Sequence, residues 1–135
     1  MRFGLFGGAR TELGEQASDS RIYTDYIDYI CEAEALGFHS VFLVEHHFTG
    51  FGQVSATLNF LTYLAAKTTV MRLGTAVLVL PWHNPALLAE QLHGLQETLG
   101  LDGILAELNT GGRIPHDCVV RALQLLCQEV MPRFH

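Results

Sequence analysis

The chain has 135 residues, of which 49% are apolar and only 16% charged, with a mean hydropathy of +0.23. That length predicts one domain, residues 1–135, and excludes a complete (β/α)8 barrel, which needs about 250 residues and at least about 200. Eight Lys and Arg against 14 Asp and Glu leave a net charge of −6, which argues against nucleic acid or an anionic membrane surface as a partner.

Arg2–Gly7 is a short apolar run closed by Gly7-Gly8 and reads as the first strand. The polar stretch from Ala9 to Ser20 reads as a loop. Ile22, Tyr26, Tyr29, Ile30, Ala33 and Leu36 then recur at helical spacing and stop at Gly37. Tyr23, Tyr26 and Tyr29 are a helix face and carry no chemistry in this reading. Ser40–Val44 is a continuous apolar run, hence a buried strand, and it leads into Glu45-His46-His47. Leu58, Leu61, Leu64 and Ala65 mark a second helix, with Lys67 in its last turn.

Val70–Leu80 is a third strand, expected to break at Gly74 and to end at Pro81. Asn84-Pro85 caps a helix that runs from Ala86 to Leu99 and closes at Gly100. Ile104–Leu108 is a fourth strand, and the last helix starts at Pro115, presents Val119, Leu123, Leu126 and Val130, and stops before Pro132. Four βα units predict an α/β fold with a parallel sheet and right-handed crossovers. Three cysteines at unpaired spacing, no signal-peptide pattern and no apolar run of about 18 residues point to a cytoplasmic protein with no membrane span.

Parallel sheets gather their chemistry at the C-terminal ends of strands. Glu45-His46-His47 lies at such an end, and a carboxylate with two imidazoles can supply a general base, a proton shuttle or metal ligands. The alternative is a polar strand end whose histidines satisfy loop carbonyls. Neighbouring strand residues point to opposite faces, so one histidine faces the mouth of the sheet and the other the helix layer. Gly111-Gly112-Arg113, ahead of the last helix, offers backbone N–H groups and a guanidinium to an anion, or is a flexible turn. Trp82-His83 could stack on a planar ligand or cap the sheet. A metal site from His46, His83 and Glu107 is a weaker reading, because the spacings of known zinc sites are not matched.

Taken together, Met1-Arg2-Phe3-Gly4, the run from Glu45 to Gly52 and the run from Leu73 to Pro85 resemble the first three βα units of bacterial-luciferase-like flavin-dependent monooxygenases. Leu99–Gly103 through Val130-Met131-Pro132 resembles that family's last strand and helix. The resemblance implies reduced FMN, or another flavin, as cofactor, a separate flavin reductase as supplier, and a small organic substrate oxidised with O2. His46 falls where the family has the histidine that acts as a base beside the flavin, and Glu45, with His47 beside it, falls in the flavin pocket. Ala76-Val77 falls where the family has a non-proline cis peptide under the isoalloxazine ring.

The family's middle units, which hold much of its phosphate contact, have no counterpart here, so Gly111-Gly112-Arg113, or Arg10, is left as the phosphate anchor, supplied in trans. The first three units and the last are adjacent on a closed ring. The expectation is therefore a (βα)4 half-barrel that completes a (β/α)8 TIM-type barrel as a two-fold homodimer. A non-catalytic half-barrel scaffold, or a deletion product, is the alternative.

Overall fold

A computed structural model of the chain describes residues 1–9, 19–48, 54–100, 104–109 and 112–134. Arg10, most of the expected Ala9–Ser20 loop, Thr49–Gly52, Leu101–Gly103, Thr110 and Gly111 lie outside the described residues. The elements alternate as expected: β1 (Gly4–Gly7), α1 (Asp19–Ala35), β2 (Ser40–Leu43), α2 (Thr57–Ala65), β3 (Arg72–Val79), α3 (Pro85–Leu99), β4 (Leu105–Glu107) and α4 (His116–Leu125). The four strands form one parallel sheet in the order β1-β2-β3-β4. The chain divides into two compact units, Met1–Ala76 and Val77–His135, with the boundary inside β3.

In the first unit, β1 pairs with β2 from Gly4↔Ser40 to Gly7↔Leu43, and β2 with β3 from Ser40↔Arg72 to Leu43↔Thr75. Because side chains alternate along a strand, this register sorts them into two faces. Val41, Leu43 and Thr75 share one face and are wholly buried. The buried Ile30 and Ala33 of α1 and Leu58, Leu61 and Leu64 of α2 complete this apolar core. Phe6 and Phe42 share the other face and remain 69% and 37% exposed.

Gly74 does not break β3. The strand runs through it, and a Cβ there would lie 2.8 Å from Cε1 of Phe42. The glycine admits the neighbouring ring; it is not a bend.

The first helix buries Ile30 and Ala33 of its expected face and departs from that face at two positions. Tyr29 and Leu36 are exposed, whereas Tyr23 meets Phe60 of α2 edge-on at 5.2 Å and Tyr26 packs on the same ring. An aromatic partner on α2 therefore sets which side of α1 faces inward. The helix ends as predicted at Gly37, whose φ of +89° suits a residue without Cβ.

In the second unit, the Asn84 side chain accepts from the N–H groups of Ala86 and Leu87 at 3.0 and 3.2 Å, so α3 is capped as predicted. Gly100, at φ +65°, closes the helix. A 3-10 turn, Leu80–Trp82, replaces the expected end of the third strand, with Pro81 inside it. After α4 the chain continues through a π turn, Leu126–Val130, and a 3-10 turn, Met131–Phe134. The expected stop before Pro132 is thus displaced: Pro132 lacks an N–H for the π ladder, and the chain tightens instead of unwinding. Of the stripe expected on this helix only Val130 is buried. Leu123 faces solvent, and Ala122 and Leu125 turn inward in its place.

One tether within the first unit was not foreseen. The Glu34 carboxylate on α1 accepts from the backbone N–H groups of Thr69, Val70 and Met71, at 2.6–2.9 Å through Oε1, and so holds the turn that starts β3. Burial pushes this carboxyl's pKa up, but the hydrogen bonds from Val70, Thr69 and Met71 outweigh it and hold it below its ordinary 4.5. The stabilisation is therefore complete above pH 4.5 and fades as the pH falls below that value, through the lowered folded-state pKa. Glu34→Gln is expected to cost on the order of 1 kcal/mol at neutral pH, about 3–5 °C in Tm, and to flatten the acid limb of a stability–pH profile. Parallel acid limbs for variant and wild type would contradict this role.

Candidate functional site

At the C-terminal ends of the first unit's strands, β1 gives way to Gly7-Gly8-Ala9, three residues with almost no side chain, of which Gly8 and Ala9 are buried. The N–H of Val44 donates to the Gly7 carbonyl at 2.9 Å, carrying the β1–β2 ladder one residue past β2. Two residues on, the N–H of His46 donates to the Val54 carbonyl at 3.0 Å. The segment from Val44 to His46 is thus pinned from both sides. The Thr57 hydroxyl, buried at the start of α2, adds a third restraint by donating to the carbonyls of Val44 and Val54, at 3.1 and 3.3 Å.

Glu45 is 3% exposed, and its Oε1 lies 2.6 Å from Nε2 of His47. A buried carboxylate is tolerated only with a partner, and the imidazole provides it. The ring nitrogen and the carboxyl oxygen share one proton in this contact, and the tautomer of His47 sets which of them donates. Glu45 and His47, two residues apart, occupy one side of this segment. His46, between them in the chain, is half-buried. Phe48 then takes φ +56°, a left-handed conformation that costs a bulky residue about 1–2 kcal/mol, and its ring is 97% exposed. Strain of this kind, next to a bonded carboxylate–imidazole pair, marks the end of β2 as a constrained site.

Of the other residues singled out from the sequence, Ala76 and Val77 lie in β3, half-buried, as the last residue of the first unit and the first of the second. Just before them, the Thr75 hydroxyl is buried with no hydrogen-bond partner. Gly112 has φ +66°, but its N–H donates to the Asn109 carbonyl at 2.9 Å, and the N–H of Ile114 donates to Oδ1 of Asn109 at 3.0 Å. Two of the amides that an anion cradle would use are therefore taken by Asn109, and the exposed guanidinium of Arg113 is what this turn offers. Asn109 stands in the sequence at the end of the fourth strand, but its two hydrogen bonds were not foreseen. His83 and Glu107 do not join His46 in a metal site: among the described residues no three His, Cys, Asp or Glu side chains converge. Among those residues no helix is long and apolar enough to cross a membrane.

The chain is 38% identical over 78 residues to a luciferase-like monooxygenase of Escherichia coli, covering 57% of this chain and 23% of the relative. It is 32% identical over 123 residues to 4-hydroxyprotoasukamycin monooxygenase of Streptomyces nodosus, covering 87% of this chain and 30% of the relative. The chain thus spans about a quarter to a third of the length of these relatives. In structure it resembles the oxygenating constituent of 3,6-diketocamphane monooxygenase from Pseudomonas putida, a type II Baeyer-Villiger monooxygenase solved in complex with FMN. The TM-score is 0.75 at 19% identity, over 93% of this chain and 38% of that one, a likeness of fold. The family described as luciferase-like monooxygenase matches residues 1–100. The chain belongs to the luciferase-like monooxygenase family.

Proposed function

We propose that the chain binds a flavin at the C-terminal ends of β1 and β2 and, with the reduced flavin and O2, oxidises a small organic substrate. The observation that carries this reading is the buried Glu45–His47 pair at the end of β2, with His46 between its two members in the chain. A flat ring system needs a floor with little side chain, and Gly7-Gly8-Ala9 and Ala76 provide one. The FMN complex of the Pseudomonas putida protein supports a flavin of this kind. Bound reduced flavin, delivered by a separate reductase, supplies the electron pair that lets one atom of O2 enter the substrate while the other leaves as water. The chain's part is to orient and to move protons: Glu45 and His47 hold the backbone, and the His46 imidazole takes or gives a proton at the reacting centre.

The phosphate is the harder part of the fit. Among the described cations of the first unit, which do not include Arg10, Arg2 and Arg72 lie at the N-terminal ends of strands, Lys67 follows α2, and Arg21 pairs with Asp25 at 3.6 Å. The anchor proposed is Arg113 of a partner chain, acting through its guanidinium. That assignment belongs with the proposed assembly, a two-fold homodimer whose strands close a (β/α)8 barrel. The exposed Phe6 and Phe42, side by side on one sheet face, support it, since such a face is stable only when covered.

His46→Ala is expected to bind FMN with unchanged affinity while losing about 100-fold in O2-dependent substrate oxidation. Arg113→Ala should weaken FMN about tenfold and leave riboflavin unchanged. Titrations of oxidised and reduced FMN that give neither saturation nor a shift in Tm would overturn the flavin reading.

Sedimentation is expected to show a species of twice the 14.9 kDa of one chain, and the double variant Phe6→Glu, Phe42→Glu should sediment as a folded monomer. A wild-type protein that is a folded monomer at micromolar concentration would refute the assembly.

A further inference from the structure

The second unit contains a cavity of about 270 Å³ that the flavin reading does not use. Leu80, Leu88, Leu125, Leu126 and Val130 supply apolar walls, and Arg121 of α4 stands at its edge. Three features of this unit share one explanation. First, α4 is amphipathic yet buries none of its residues fully, because the side chains that turn inward face the cavity. Second, among the described residues Arg121 makes no ion pair. Asp117, one turn earlier, stands at the spacing that favours one, but the guanidinium lines the cavity instead. A cation without a carboxylate is notable in a chain with 14 acidic residues and eight basic ones. Third, the helix passes into a π turn at Leu126, where it meets the cavity; such turns are frequent at ligand sites.

We propose that this cavity is a binding site for an aliphatic carboxylate, with the alkyl chain against the leucines and the carboxylate on the Arg121 guanidinium. The walls have few polar groups to satisfy a sugar, a base or a peptide, whereas an alkyl chain gains from each methylene it buries. The planar guanidinium matches a carboxylate in geometry and in charge. At about 30 Å³ for each water-sized group, the cavity takes a chain of about six to eight carbons. The chain's net charge of −6 repels anions in general, so retention of one here depends on Arg121.

The test uses sodium octanoate and the full chain. Trp82 is the only tryptophan and lies between Pro81 and His83, two residues that line the cavity, so its emission reports on occupancy. Octanoate should shift that emission saturably, with one molecule bound per chain by calorimetry, and 1-octanol should bind at least tenfold more weakly. Arg121→Gln should weaken octanoate about tenfold, remove its advantage over 1-octanol, and leave FMN affinity unchanged. Leu125→Phe, which narrows the cavity, should weaken both ligands, read by calorimetry. Octanoate binding that does not saturate, equal affinity for octanoate and 1-octanol in the wild type, or undiminished octanoate binding in Arg121→Gln would each overturn the proposal. Because Arg121→Gln touches a surface side chain outside the flavin site, failure of octanoate binding leaves the flavin reading standing, and failure of FMN binding leaves this one.

Discussion

The parallel register of β1, β2 and β3 is the constraint from which the first unit follows. Gly7, Leu43 and Thr75 stand in one row and Phe6, Phe42 and Gly74 in the row before it. A slip of one residue would bring the two phenylalanines inward and turn Leu43 outward, which the apolar core made with α1 and α2 forbids. The same register explains Gly74, since only a residue without Cβ admits the Phe42 ring lying against it. It also brings Gly7 opposite Leu43, so that the Val44 amide reaches the Gly7 carbonyl and delivers Glu45 to the strand end.

From that point the chemistry is set by how the chain deals with one buried carboxylate. Leaving Glu45 unpaired would cost several kcal/mol, and the partner it finds is two residues along, on the same side of the backbone. Pairing with Glu45 engages His47, and in the proposed reading the proton transfer is assigned to His46. The anchoring of the segment by the Val54 carbonyl and the Thr57 hydroxyl then becomes intelligible: the pair holds its 2.6 Å geometry only if its backbone is fixed, and the strained φ of Phe48 accompanies that fixation.

Much of this was legible in the sequence because it depends on local rules. Asn84 followed by Pro85, the glycines at 37 and 100, and the apolar run from Ser40 each announce an element whose physics is confined to a few neighbours, and each forms where expected. What escaped depends on partners distant in the chain. Glu34 reads as one acid on a helix, and its bonds lie 35–37 residues away. Gly74 reads as a strand breaker until Phe42 is seen against it. On α4 the counted stripe of Val119, Leu123, Leu126 and Val130 obeys helical spacing. Yet the face that turns inward includes Ala122 and Leu125, because periodicity identifies an apolar face without saying what lies opposite. At the candidate site, Glu45, His46 and His47 stood out by composition, whereas the division of labour among them needed the 2.6 Å contact.

The open face of the sheet bears on the length of the chain. In a closed barrel the side chains facing inward fill the interior in layers, so an inward phenylalanine on adjacent strands is ordinary. Phe6 and Phe42 have that character, yet the residues that would face them across a barrel are not supplied by β1, β2 and β3 of this chain. A chain with only 16% charged residues has little with which to dress such a face. In the proposed homodimer the same face of a second copy would cover it without new sequence, because a two-fold axis would set phenylalanine against phenylalanine. The register that builds the core of one chain would then also specify what that proposed partner presents.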